Sequence, residues 1–134
     1  SMSTKTILIV DDEAAIREMI RVGLELAGYD CIEASNAQEA HGIIVDQRPD
    51  LVLLDWMMPV TSGIELLRRL RREELTRDML VIMLTAKGEE DNKIQGLEAG
   101  ADDYITKPIK PKVLVSKVKA LLRRLKDDKK NANV

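Results

Sequence analysis

The sequence predicts an α/β fold: a flavodoxin-like, doubly wound sheet of five parallel strands in the order 2-1-3-4-5, with five helices. Three observations lead there. Short apolar runs alternate with stretches of helical period, five times along the chain. The runs LVLL and VIML are apolar throughout, as central strands covered on both faces must be. DCIEA mixes polar and apolar residues, which suits an edge strand.

Taken in order, TILIV leads into a helix from Glu13 to Ala27, with Ile16, Met19, Ile20, Leu24 and Ala27 on one face. DCIEA is followed by a helix from Ala37 to Asp46. LVLLD precedes a helix from Gly63 to Leu75, with Ile64, Leu67 and Leu70 inward and Arg68, Arg69, Arg71 and Arg72 outward. LVIML precedes a helix from Glu89 to Ala99, and DYIT one from Lys112 to Leu125. In that last helix Leu114, Val118, Leu121 and Leu125 face the sheet, while Val113, Lys117, Ala120 and Arg124 form a separate flank. Residues 5–125 are thus expected to be the folded domain. Residues 1–4, beginning Ser-Met-Ser, read as a cloning remnant or N-terminal extension, and residues 126–134, without apolar period, as a linker or disordered tail.

At 134 residues the chain is long enough for one core without disulfide or structural metal. The single Cys31 cannot form an internal disulfide, and no run matches a membrane span or a secretory segment, so a cytoplasmic setting without membrane association is expected. A net charge of −2 argues against this domain gripping nucleic acid by itself.

Open α/β sheets bind ligands beyond the carboxyl ends of their strands, so the residues after each apolar run carry the chemistry. Asp11 and Asp12 follow the first run, Asp55 the third, Thr85 the fourth and Lys107 the fifth. Carboxylates gathered this closely repel one another unless a cation is present. Oxygen donors without Cys or His suit Mg²⁺ and not zinc. Lys107 and Thr85 add a clamp for phosphoryl oxygens, and an Asp carboxylate can itself act as nucleophile. Blander readings exist for each residue alone: Asp11 and Asp12 as helix-start signals, Asp55 as a turn residue, Thr85 as a strand-end cap, Lys107 as a solvated charge. Their coincidence at four strand ends favours the shared site.

VDDE, LLDWMMP with Gly63, MLTA and DDYITKP, in this order and spacing, resemble the receiver domain of bacterial response regulators over about Lys5 to Leu125. DDEAAIREMI, LTAKGEEDNKIQGLEAGADDYITKP and KALLRR are similar to the winged-helix transcription factors typified by OmpR and PhoB, and among these to phosphate-regulon regulators. The resemblance implies that Asp55 accepts a phosphoryl group from a sensor histidine kinase, with Mg²⁺ held by Asp12, Asp55 and the Met57 carbonyl, and by Asp11 through water. It implies that Lys107 pairs with the phosphoryl oxygens, that Thr85 and Tyr104 switch, and that the Lys107-Pro108 peptide is cis. It further implies a homodimer on phosphorylation through the fourth helix, fifth strand and fifth helix, using Lys93, Glu98, Asp102, Asp103, Val113, Lys117, Ala120 and Arg124. DNA would be bound only through a C-terminal domain beyond this sequence.

Some residues depart from the family's pattern. Val113 stands where a glutamate usually pairs with the residue at Lys93. Val60 replaces a glycine and implies ordinary backbone angles in its loop or a local rearrangement, Leu80 replaces a proline, and Ile109 a phenylalanine. Met57 and Lys87 occupy positions that tune phosphoryl lifetime in the family, and neither activates water, so a long-lived aspartyl phosphate is expected. His41 reads as a surface residue, Cys31 as a small strand residue and Trp56 as partly exposed. Three other functions compete: a stand-alone receiver acting by protein contact, a phosphohydrolase, and a nucleotide or flavin module. The second lacks an acid two residues beyond Asp55, and the third a glycine-rich loop after the first strand.

Overall fold

The computed structural model describes residues 4–86 and 88–132. Its elements are β1 (Thr6–Val10), α1 (Ala14–Leu26), β2 (Asp30–Ala34), α2 (Ala37–Gln47), β3 (Leu51–Asp55), α3 (Gly63–Arg72), β4 (Leu80–Thr85), α4 (Glu90–Glu98), β5 (Asp103–Thr106) and α5 (Pro111–Ala132). The strands form one parallel sheet in the order β2-β1-β3-β4-β5, as the sequence predicts.

Alternate strand residues feed two cores. Leu8, Val10, Val52 and Leu54 pack on one face with Ala40 and Ile44 of α2 and Leu66, Leu67 and Leu70 of α3. Ile7, Ile9, Leu53 and Leu84 pack on the other with Ile20 and Leu24 of α1 and Leu114, Val118 and Leu121 of α5. Full burial of each such side chain contributes roughly 1.5–3 kcal/mol, so β1 and β3 are firmly anchored. Register places Val10 beside Leu54 and Asp55 beside Leu84, which brings the strand ends to a common rim.

Four local expectations need correction. The helix α5 continues beyond Leu125 to Ala132, so the described part of the expected tail is helical. Residues 126–132 contain good helix formers and no Gly or Pro, and Lys129 and Lys130 favour the helix C-terminus. Leu122, not Leu125, completes the buried face of α5. Met19 lies at the flank of α1 and is 36% exposed, because Ile20 and Leu24 occupy the centre of the stripe. The helix α3 stops at Arg72, where the buried Thr76 hydroxyl donates to the Leu70 carbonyl at 2.7 Å and turns the chain, leaving Leu75 exposed.

Arg71 is also not outward. Its guanidinium donates to the carbonyls of Gly100 (2.8 Å) and Met79 (2.7 Å) and to Asp102 Oδ2 (3.2 Å), tying α3 to the loop before β5.

Candidate functional site

The rim is built by β1, β3, β4 and β5. Asp11 follows β1 directly and is fully buried. Its Oδ1 accepts the Glu13 N–H at 2.9 Å, so the helix-start reading of this residue is also satisfied. Arg17 of α1 donates to the Asp11 carbonyl at 2.6 Å and to Glu33 at 2.9 Å, pinning the end of β1 against β2; nothing in the sequence pattern pointed to it. Asp12 is exposed, with its carboxylate at the mouth. Oxygens of Asp11, Asp12 and Asp55 lie within 4.8 Å of one another.

Asp55 ends β3 and is buried. Burial, then the charge of Asp11, push its carboxyl up from 3.8 to about 6, although Lys107 and the Met57 N–H oppose the rise. Lys107 reaches across from the end of β5, its Nζ 3.0 Å from Asp11 Oδ2 and 3.1 Å from Asp55 Oδ1. Burial alone would lower the pKa of its ammonium, but Asp11 and Asp55 outweigh it and hold the group above its ordinary value. Thr85 closes β4, and its buried hydroxyl has no hydrogen-bond partner among the described residues. A buried unpaired hydroxyl costs about 1–3 kcal/mol, which a ligand oxygen at the rim would recover.

The loop after Asp55 is held from below. Gly63 donates to the Trp56 carbonyl at 2.9 Å, and a Cβ at Gly63 would overlap the Asp55 carbonyl oxygen. Ser62 and Glu65 form a reciprocal capping box at the start of α3. Within the loop Val60 has φ 69° and is fully exposed, which rules out the first of the two expectations for it, ordinary backbone angles. The capping box and Gly63 fix the end of the loop, and Val60 takes the strained turn that results. Trp56 is 7% exposed, not partly exposed as expected, because it packs into the core beside Gly96 and Met83. Met57 is exposed, and Lys87 lies outside the described residues.

The remaining predicted site residues lie away from the rim. Tyr104 is half-buried on β5, with Lys93 Nζ 4.9 Å and Lys117 Nζ 5.3 Å from its ring centre. Glu98, Val113, Ala120 and Arg124 are exposed, and Asp103 pairs with Lys117 at 3.1 Å. Asp102 is part-buried, and its carboxylate accepts the Val81 N–H at 2.9 Å and the Arg71 guanidinium. The Lys107-Pro108 peptide is cis. His41 is half-buried and pairs with Glu73 at 2.8 Å. Burial, then Glu25, push the Cys31 thiol up to about 11, which leaves it a poor nucleophile.

Residues 7–119 match the response regulator receiver domain family. This chain belongs to that family. The receiver is 72% identical over 123 residues to the phosphate regulon transcriptional regulatory protein PhoB of Pseudomonas aeruginosa, covering 92% of this chain and 54% of that protein. It is 51% identical to PhoB of Escherichia coli, covering 90% and 53%. The chain therefore spans about half the length of the curated relatives it matches. A CheY-like receiver domain protein from Methanospirillum hungatei superposes with a TM-score of 0.87 at 36% identity, covering 94% of this chain and 99% of that one. The receiver domain of a Francisella response regulator gives 0.84 at 36% identity, covering 91% and 99%. Receiver domains are phosphorylated by sensor histidine kinases and bind Mg²⁺ in an acidic pocket; here the acidic cluster is Asp11, Asp12 and Asp55. No helix among the described residues is long and apolar enough to cross a membrane.

Proposed function

We propose that this receiver accepts a phosphoryl group on Asp55 from a sensor histidine kinase and promotes its own phosphorylation and dephosphorylation as a stoichiometric acceptor. The observation that carries the reading is Lys107 bridging Asp11 and Asp55 beside the unpartnered Thr85 hydroxyl. An Asp55 oxygen attacks phosphorus, and the donor's bond to phosphorus breaks. The leaving group departs with the electron pair and is protonated by solvent. Lys107 moves its ammonium onto the phosphoryl oxygens, and Thr85 donates its hydroxyl to one of them.

The cluster fits Mg²⁺ on donor chemistry: oxygen donors alone, and an Asp55 carboxyl raised to about 6 by burial and then by the charge of Asp11. Asp12, Asp55 and the Met57 carbonyl would hold it, with Asp11 acting through water, and when bound it neutralises phosphoryl and carboxylate charge. Exposed Met57 offers no group that activates water, so the aspartyl phosphate is expected to last minutes or longer; loss within seconds contradicts this.

Phosphorylation biases Thr85 and Tyr104 toward a second arrangement and drives a homodimer through α4, β5 and α5. Given the names of its relatives, that dimer would control a C-terminal DNA-binding domain and phosphate-regulon transcription in the cytoplasm. Incubation with an acyl phosphate and Mg²⁺, followed by intact mass, should show a gain of one phosphoryl group that Asp55→Asn abolishes. An equal gain in Asp55→Asn refutes the proposal.

A further inference from the structure

The face carrying Tyr104 contains a closed circuit of contacts. Lys93 of α4 lies over the Tyr104 ring and is steered there by Glu90, its Nζ 3.1 Å from the carboxylate. Although α4 is a surface helix, the Lys93 side chain is only 16% exposed. Lys117 of α5 approaches the same ring and is steered by Asp103, whose Oδ1 also accepts the N–H of Tyr104 itself at 2.8 Å. Backbone, carboxylate, ammonium and ring of neighbouring residues thus hold one another.

An ammonium near an aromatic ring is attracted by the ring's quadrupole, and the attraction strengthens as the pair loses water. Two lysines from two different helices sharing one ring is a stronger constraint than either alone, because the ring cannot rotate without leaving both. Val113 contributes by default. It offers Lys93 no carboxylate, and among the described residues Glu90 and the ring are the partners of its ammonium.

We propose that Lys93 and Lys117 act as positioning residues, a latch that holds the Tyr104 ring half-exposed in the unphosphorylated receiver. The latch rests on the reading of Tyr104 as a switch. It makes the switch answer to two inputs. Phosphorylation draws the ring inward at the Thr85 end of the strand, and any partner that takes the two ammoniums releases it from the outside. Lys93 and Lys117 are also residues of the proposed dimer face, so self-association and ring release are coupled, and each favours the other. Two such contacts bias the conformer ratio by about tenfold.

The test uses the receiver labelled with 3-fluorotyrosine, which gives two resonances, from Tyr104 and from Tyr29 in the opposite core as an internal control. The solvent isotope shift of each fluorine reports ring exposure, read in dilute, unphosphorylated protein. Lys93→Met with Lys117→Met should reduce the shift of Tyr104 and leave that of Tyr29 alone. Lys93→Arg, which keeps the cation, should preserve the parent value. The double Met variant should also take up phosphoryl groups from an acyl phosphate severalfold faster. An unchanged Tyr104 shift in the double Met variant overturns the latch. If no variant, the parent included, is phosphorylated, the proposed function fails, while the fluorine shift still decides the latch.

Discussion

The acidic rim and the face formed by α4, β5 and α5 are built on opposite principles. At the rim Asp11, Asp55 and Thr85 sit at the ends of β1, β3 and β4, whose residues are almost all buried, while Lys107 reaches in from the more open β5. The helix α3 beside it has a capping box and five buried residues, whereas α4 has no side-chain cap and buries only Gly96. Ile94 and Leu97 of α4 stand 54% and 48% exposed. On the proposed function, the difference teaches that chemistry and response would be separated: the groups proposed to react are held where movement is costly, and the face proposed to respond lies where little core is lost by moving.

The contrast is broken most severely at Gly63. Gly63→Ala drives a Cβ into the Asp55 carbonyl and should cost about 3 kcal/mol in urea unfolding, with Asp55 displaced. An equally stable variant would mean the loop is not held as described.

The next largest effect is a pH dependence from Asp55. Its carboxyl is raised from 3.8 to about 6, so the folded chain holds more protons than the unfolded chain between those values. The contribution of this group to stability is therefore largest below about pH 4 and is lost as pH rises through about 6, by roughly 2–3 kcal/mol in chelator. Urea midpoints across that window should fall less steeply with pH in Asp55→Asn than in the parent. Parallel curves contradict a carboxyl raised by burial and by the neighbouring Asp11.

Val60→Gly sharpens the comparison from the loop side. Relief of a β-branched residue at φ 69° outweighs the extra freedom of glycine in the unfolded chain, for a gain of about 1 kcal/mol in thermal or urea stability. On α4, Ile94→Ser should change monomer stability by less than about 0.5 kcal/mol while weakening phosphorylation-dependent dimerisation in sedimentation. A loss of several kcal/mol would show that α4 belongs to the core after all.

The legibility of the sequence follows the same division. Strands and rim residues could be read because burial on both faces forces continuous apolar runs, and the residues that end those runs must point into the crevice. Arg17, Arg71 and Asp102 could not, since their partners are backbone carbonyls and amides distant in sequence and leave no periodic trace. The charge of Arg71 and its place on the polar side of the helical period point it outward, but a long side chain on a helix flank can fold back over its neighbours. For Val60 the sequence leaves ordinary angles and a local rearrangement both open, because a residue's own preference does not decide an angle that its loop also constrains. The lack of apolar residues after Leu125 suggests a tail, but it says nothing against a solvated extension of an existing helix, which residues 126–132 form.

The division between a fixed rim and a responsive face is tested most directly by hydrogen exchange with and without stoichiometric phosphorylation of Asp55. Protection should change in Glu90–Glu98 and Asp103–Thr106 and stay constant in Thr6–Val10 and Leu51–Asp55. Complete phosphorylation that leaves α4 and β5 unaltered, or that instead loosens β1 and β3, would contradict it.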